Sequence, residues 1–92
     1  MESTRLDLGT KCTIVRVEEL HAQLEDLLQG GTHIEIDASK LEQCDTASFQ
    51  LLASFHDALK AEGRELTWQK PSEQTLAAAA LLGLTAAVGL NG

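Results

Sequence analysis

The residues that could carry chemistry are concentrated in one short segment, residues 41–49, which reads LEQCDTASF. Within it, a carboxylate, Asp45, directly precedes a hydroxyl side chain, Thr46, at the point where an apolar helical pattern begins. The Asp45 carboxylate is suited to accept hydrogen bonds from the first N–H groups of that helix, where the helix dipole favours a negative charge. Thr46 would then be the first helical residue. A capping role, contributing about 1 kcal/mol to helix stability, would by itself account for this pair.

Other arrangements that support catalysis or metal binding are missing from the sequence. The three histidines, His21, His33 and His56, have no metal-ligand spacing, and the two cysteines, Cys12 and Cys44, form no CxxC pair. The glycine patterns of nucleotide-binding loops and of serine hydrolases do not occur. With no tyrosine and only 3% aromatic residues, the chain lacks a platform for stacking bases. We therefore expect no enzyme activity, no cofactor and no metal.

Length and composition predict one globular domain over residues 1–92, with residues 1–3 as a flexible tail. The apolar fraction is 43% and the charged fraction 23%, which are ordinary values for a folded protein. A net charge of −7 disfavours nucleic acid and anionic membrane surfaces as partners. No segment has the length of a membrane span or the pattern of a signal peptide, and the two cysteines suit reduced thiols. These features predict a cytoplasmic protein without membrane insertion.

Apolar periodicity predicts the elements that must position Asp45 and Thr46. Around Gly9, residues 4–8 and 12–15 form either a hairpin or two short strands. A helix starts at Val17 and ends at Gly30 and Gly31, and a strand follows over residues 32–38, where apolar and polar residues alternate. A second helix covers residues 46–62, a strand residues 65–70, a third helix residues 72–83, and a short edge strand residues 86–90.

Strands that alternate with helices predict an α/β fold. We expect a mixed sheet of four to five strands, with about three helices packed mainly on one face. Glu35 and Asp37 alternate with Ile34 and Ile36, which indicates that the other face is partly wet.

The run from Ile34 to Leu52, IEIDASKLEQCDTASFQLL, resembles the STAS domain, the family of anti-sigma-factor antagonists. The signature of that family is a hydrophobic strand, a short loop, Asp followed by Ser or Thr, two small residues, and an apolar helix. The segments IVRVEELHAQLEDLL and LTWQKPSEQTLAAAALLGL are similar to the family's second strand with its first helix, and to its fourth strand with the next helix. The latter segment is also similar to STAS proteins found alongside bacterial chemotaxis components.

This resemblance implies a STAS-like domain that binds a protein partner and is not a catalyst. In phosphoswitch members, the Ser or Thr after the Asp is phosphorylated by a cognate kinase, and Thr46 occupies that position. The implied partner is an anti-sigma factor or a histidine-kinase-like serine/threonine kinase, in signalling that includes chemotaxis. Asp45, Thr46, Ala47 and Ser48 are the implied partner-binding residues. Many members carry a second Ser and a Gly where this chain has Ala47 and Ser48, so the turn is bulkier here.

Two other readings of the same segment remain open. Some STAS proteins are constitutive adaptor subunits of membrane transport ATPases, including lipid transporters, and in those the Thr is a contact residue without a phosphate. A domain that has lost its switch is the third reading, and Ala47 and Ser48 keep it open.

Overall fold

The structure is a computed structural model that describes residues 2–90, and of Ile14 the backbone alone. Five strands and three α-helices follow one another in these residues, with a short 3-10 helix at Ile14–Arg16. In chain order they are β1 (Ser3–Asp7), β2 (Lys11–Cys12), α1 (Val17–Gly30), β3 (His33–Asp37), β4 (Gln43–Cys44), α2 (Thr46–Ala61), β5 (Leu66–Gln69) and α3 (Glu73–Leu81). The predicted α/β class with three helices is confirmed.

The strands form two small parallel sheets. β3 lies between β1 and β5, and a separate ladder joins β2 to β4. Of the two arrangements predicted around Gly9, the structure has two separate short strands, because β1 pairs with β3 and β2 with β4. Every pairing in residues 2–90 is parallel, so the sheet differs in strand direction from the mixed sheet that the sequence predicts.

The beginning and end of the described chain also differ from the prediction. Ser3 already belongs to β1, and the Glu2 carbonyl accepts from His33 N at 3.0 Å, so regular structure begins within the predicted tail. Met1 lies outside the described residues. The predicted edge strand at residues 86–90 is wrong, because these residues form turns in which Leu90 N donates to Thr85 O at 2.9 Å. Its alanines and Gly89, which has a φ of +85°, suit turns better than a strand.

The core lies between one face of the sheet and the helices. Ile36, Phe49, Leu52 and Leu59 are all fully buried, and α1 packs against α2. The alternating burial of β3 places Glu35 and Asp37 on the opposite face, where both are half-buried. The partly wet face predicted from this alternation is therefore present.

The segment after α3 closes the core beside β5. Val88 is fully buried, and its carbonyl accepts from the Trp68 indole Nε1 at 2.8 Å. The His56 Nδ1–H of α2 donates to the Ala87 carbonyl at 3.0 Å. Two polar side chains, one from a strand and one from a helix, thus hold the backbone of this segment in place.

A buried arginine joins the end of α1 to the sheet. The Arg64 side chain is only 4% exposed. Its guanidinium donates to the carbonyls of Leu27, Leu28 and Thr32, each at 2.7 Å, and to the Glu62 carboxylate at 2.9 Å. Arg64 therefore donates to carbonyls at the end of α1 that have no hydrogen-bond partner within the helix. Its positive charge is also favourable there, because the helix dipole is negative at the carboxyl end.

Asp37, at the end of β3, makes the stability of the domain depend on pH. Its carboxylate accepts from the Arg5 guanidinium and from both the hydroxyl and the backbone N–H of Ser39, and these bonds hold its pKa well below the usual range. A carboxyl whose pKa is lowered by folding stabilises the fold above its unfolded pKa of about 3.9, and this stabilisation is lost as the pH falls further.

We therefore expect Asp37→Asn to lower the melting temperature at pH 7, and the difference from the parent chain to shrink as the pH falls from 4 towards 2. Thermal unfolding followed by circular dichroism at several pH values measures this. Asp26→Asn, on the exposed face of α1, is the matched control for losing one negative charge. If the difference in melting temperature between Asp37→Asn and the parent chain stays constant across this pH range, then Asp37 is not the source of the pH dependence.

Among residues 2–90, none of the helices combines the length and the apolar character needed to cross a lipid bilayer.

Candidate functional site

The candidate site lies at the carboxyl ends of β2 and β4, the edge at which ligands generally meet parallel strands. The Cys12 carbonyl at the end of β2 accepts from Asp45 N at 3.1 Å. The Thr10 carbonyl accepts from Glu42 N at 2.8 Å and from Gln43 N at 3.2 Å. These bonds hold the segment before α2 against β2 and fix the direction in which the helix begins.

Asp45 caps α2 as the sequence predicts. Its backbone is extended, with φ −85° and ψ 173°, and its carboxylate Oδ1 accepts from Ser48 N at 3.0 Å. Its carbonyl accepts from Phe49 N at 3.0 Å, the first regular bond of the helix. Asp45 is therefore engaged in positioning the helix end, and Thr46 is the first residue of α2.

Thr46 is exposed at this helix end, and its immediate neighbours differ in accessibility. Ala47 is half-buried, and Ser48 is completely buried. The helical repeat explains the burial of Ser48, since it shares a face with the buried Leu52, Phe55 and Leu59. Of the four residues implied as partner contacts, Thr46 is thus open to another protein, whereas the Ser48 side chain faces the core.

Two further residues lie at the same edge, Val15 and Arg16, and neither is among the site residues that the sequence predicts. Both lie in the 3-10 turn directly after β2. Val15 is 89% exposed, so its apolar side chain lies open to solvent. Arg16 Nη1 donates to the Lys11 carbonyl at 3.0 Å. No pattern in the sequence indicates this exposure, because residues 12–15 fit a strand in which Val15 would be paired.

Two thiols lie side by side in the β2–β4 ladder, and one of them, Cys44, directly precedes Asp45. Cys12 and Cys44 are register partners in the β2–β4 ladder, and neither is in a disulfide. The hydrogen bond from the Cys44 thiol, assisted by the Arg16 charge, lowers the pKa of Cys12 to about 7, although burial and Asp45 act in the opposite direction. The same bond and burial raise the pKa of Cys44. Cys12 is thus the group of this pair that ionises first.

No group of three or more His, Cys, Asp or Glu side chains within residues 2–90 is arranged to hold a metal ion. The chemistry that the edge offers is a hydroxyl open to solvent, a capped helix end and an exposed apolar side chain. This combination suits contact with another protein.

Comparison with known proteins agrees with this geometry. The sequence model of one family, described as "Mlab, STAS domain", matches residues 1–90. No curated protein matches the chain. STAS domains commonly bind protein partners in regulatory roles and are typically non-catalytic. Since the match spans nearly the whole chain and its order of strands and helices fits the fold, the chain belongs to the STAS domain family.

Proposed function

We propose that this STAS domain is a non-catalytic signalling protein that binds a protein partner over the amino end of α2 and releases it when Thr46 is phosphorylated. The observation that carries the proposal is the exposure of Thr46 as the first residue of a helix that Asp45 caps. An anti-sigma factor or a histidine-kinase-like serine/threonine kinase is the proposed partner, with chemotaxis-related signalling as one setting. A cytoplasmic location stays a prediction from the sequence.

The domain itself should tolerate the phosphate. Phosphorylation adds about −1.5 to −2 charges at a helix end where the dipole and the first N–H groups favour an anion. Thr46 is exposed, so the added group does not have to enter the core. Folding should therefore be unaffected by the modification.

A partner seated on the same helix end should not tolerate it. The partner would bury the dianion beside Asp45 and Glu42, and a buried charge without a counter-charge costs several kcal/mol. Changing a complex from mostly bound to mostly free requires about 5.5 kcal/mol of differential affinity. The cost of burying the phosphate is of the same order. One phosphate can thus switch the complex.

A second candidate is a constitutive adaptor subunit of a membrane transport ATPase such as a lipid transporter, in which Thr46 is a permanent contact. Two observations favour it. The first turn of α2 has no lysine or arginine that could receive a phosphate. Val15, 89% exposed at the same edge, is an apolar side chain that a lasting interface would cover.

Intact mass measurement of the protein recovered from its own cells, carried out separately on the free and the partner-bound pools, distinguishes the two candidates. The phosphoswitch predicts that a fraction of the chain is about 80 Da heavier and carries the added group on Thr46. That fraction should be absent from the partner-bound pool. Phosphatase treatment, which should remove the added mass, is the control, and peptide sequencing of the untreated chain locates the phosphate. A tight complex with an ATPase, with no phosphorylated form in either the bound or the free pool, would support the adaptor and overturn the switch.

A further inference from the structure

Cys12 and Cys44 are close enough to be joined. Register partners on neighbouring strands lie about 4.8 Å apart at Cα, within the span of about 4.4 to 6.8 Å that a disulfide bridges. Because they are register partners, both side chains project from the same face of the β2–β4 ladder. Little backbone movement is therefore needed to connect the sulfurs.

A buried hydroxyl without a partner points to a reactive sulfur at Cys12. Ser48 is completely buried, and its Oγ makes no hydrogen bond of ordinary geometry. It lies near enough to the Cys12 sulfur to favour the thiolate. A thiol is a weak acceptor, whereas a thiolate accepts strongly, so ionisation of Cys12 would satisfy this hydroxyl.

A small opening is lined in part by Cys12. A pocket of about 10 Å³ borders Cys12, and its wall includes the cationic side chains of Lys11 and Arg16 together with Asp7. This space admits about one water-sized molecule. Cys12 is only 4% exposed, so a small oxidant can reach it more readily than a bulky disulfide reagent.

We propose that Cys12 and Cys44 are a redox modification site, which a hydroperoxide such as hydrogen peroxide converts to an intramolecular disulfide between β2 and β4, with Cys44 two residues before Thr46. This inference stands apart from the proposed phosphorylation. It rests on the paired register of the two thiols, the unsatisfied Ser48 hydroxyl and the opening beside Lys11 and Arg16.

The reaction balances in two steps. The Cys12 thiolate attacks one peroxide oxygen, the O–O bond breaks, and hydroxide leaves a sulfenic acid on Cys12. The Cys44 thiol gives its proton to that hydroxide, and its sulfur attacks the Cys12 sulfur, so that the S–S bond forms and the S–O bond breaks. The second hydroxide takes the proton that Cys12 lost on ionising. Two thiols are oxidised by two electrons, and one peroxide is reduced to two waters.

The test exposes the folded parent chain to dilute hydrogen peroxide and follows its intact mass. We expect a loss of about 2 Da, reversed by a thiol reductant, together with loss of both free thiols. Trypsin cleavage after Lys11, Arg16, Lys40 and Lys60 should then yield peptides 12–16 and 41–60 joined by the disulfide. Separate peptides, linkage between two chains, or oxygen adducts spread over both cysteines would overturn the proposal.

Variants test the role of the neighbouring groups. Cys44→Ser should form no internal disulfide and should gain oxygen at Cys12 instead. Ser48→Ala should slow the disulfide reaction about tenfold, corresponding to the loss of roughly one hydrogen bond to a charged sulfur. Ser54→Ala, exposed further along α2, is the matched control and should react like the parent chain. An unchanged rate in folded Ser48→Ala would remove the role assigned to that hydroxyl.

Discussion

Thr46→Glu is expected to keep the domain folded and to weaken partner binding about 100-fold or more. A carboxylate at the first position of α2 is favoured by the helix dipole, so folding should be unaffected or slightly stabilised. In the complex, the same charge would be buried next to Asp45 without a counter-charge. An affinity loss of 100-fold corresponds to about 2.7 kcal/mol, which is within the cost of one such buried charge.

Titration calorimetry with the purified partner measures the effect, with two matched controls. Thr46→Ser retains the hydroxyl and should bind within a few-fold of the parent chain. Ser54→Glu adds the same net charge to an exposed position on the same helix, away from its amino end, and should have only a small effect. If Thr46→Glu is folded and binds as tightly as the parent chain, then the partner does not cover Thr46.

Arg64→Ala is expected to give the largest loss of stability, about 3 to 5 kcal/mol in the free energy of unfolding. The substitution removes donors from three backbone carbonyls, those of Leu27, Leu28 and Thr32. Buried acceptors without partners each cost about 1 to 3 kcal/mol. Since single domains have only about 5 to 15 kcal/mol of stability in total, the variant should lose a large share of its stability.

Urea unfolding followed by circular dichroism measures this loss. Arg64→Lys keeps the positive charge but not the planar guanidinium, and it should fall between the parent chain and the alanine variant. Arg64→Met keeps most of the apolar stem and separates the contribution of packing from that of the hydrogen bonds. A loss below 1 kcal/mol for Arg64→Ala would mean that water replaces the guanidinium at these carbonyls.

The sequence predicts the helices well because α1 and α2 have a periodic apolar stripe and all three helices have a recognisable end. α2 begins at Asp45 and Thr46 as expected, and Ser72 caps α3 by accepting from Thr75 N. Gly31, with a φ of +77°, ends α1 in the left-handed conformation that glycine adopts without strain. These signals are local, so they can be read without knowledge of the tertiary structure.

The β2–β4 ladder and the burial of Ser48 depend on contacts between distant segments. Strands of two residues each carry no periodicity, so nothing in the sequence indicated that Cys12 and Cys44 would be partners. Ser48 is polar, but it follows the helical spacing of Leu52, Phe55 and Leu59, a signal that could have predicted its burial. Arg64 follows the end of a helix, where a charged residue is usually solvated, and only the fold brings helix-end carbonyls to it.

The attachment of the last described segment gives this domain an intrinsic optical reporter. Trp68 is the only tryptophan in the chain, and its indole donates to the Val88 carbonyl. Release of that carbonyl would expose the indole N–H to water and change the emission maximum, while the strand that holds Trp68 stays paired with β3. Fluorescence can therefore distinguish local opening of this segment from global unfolding without any added label.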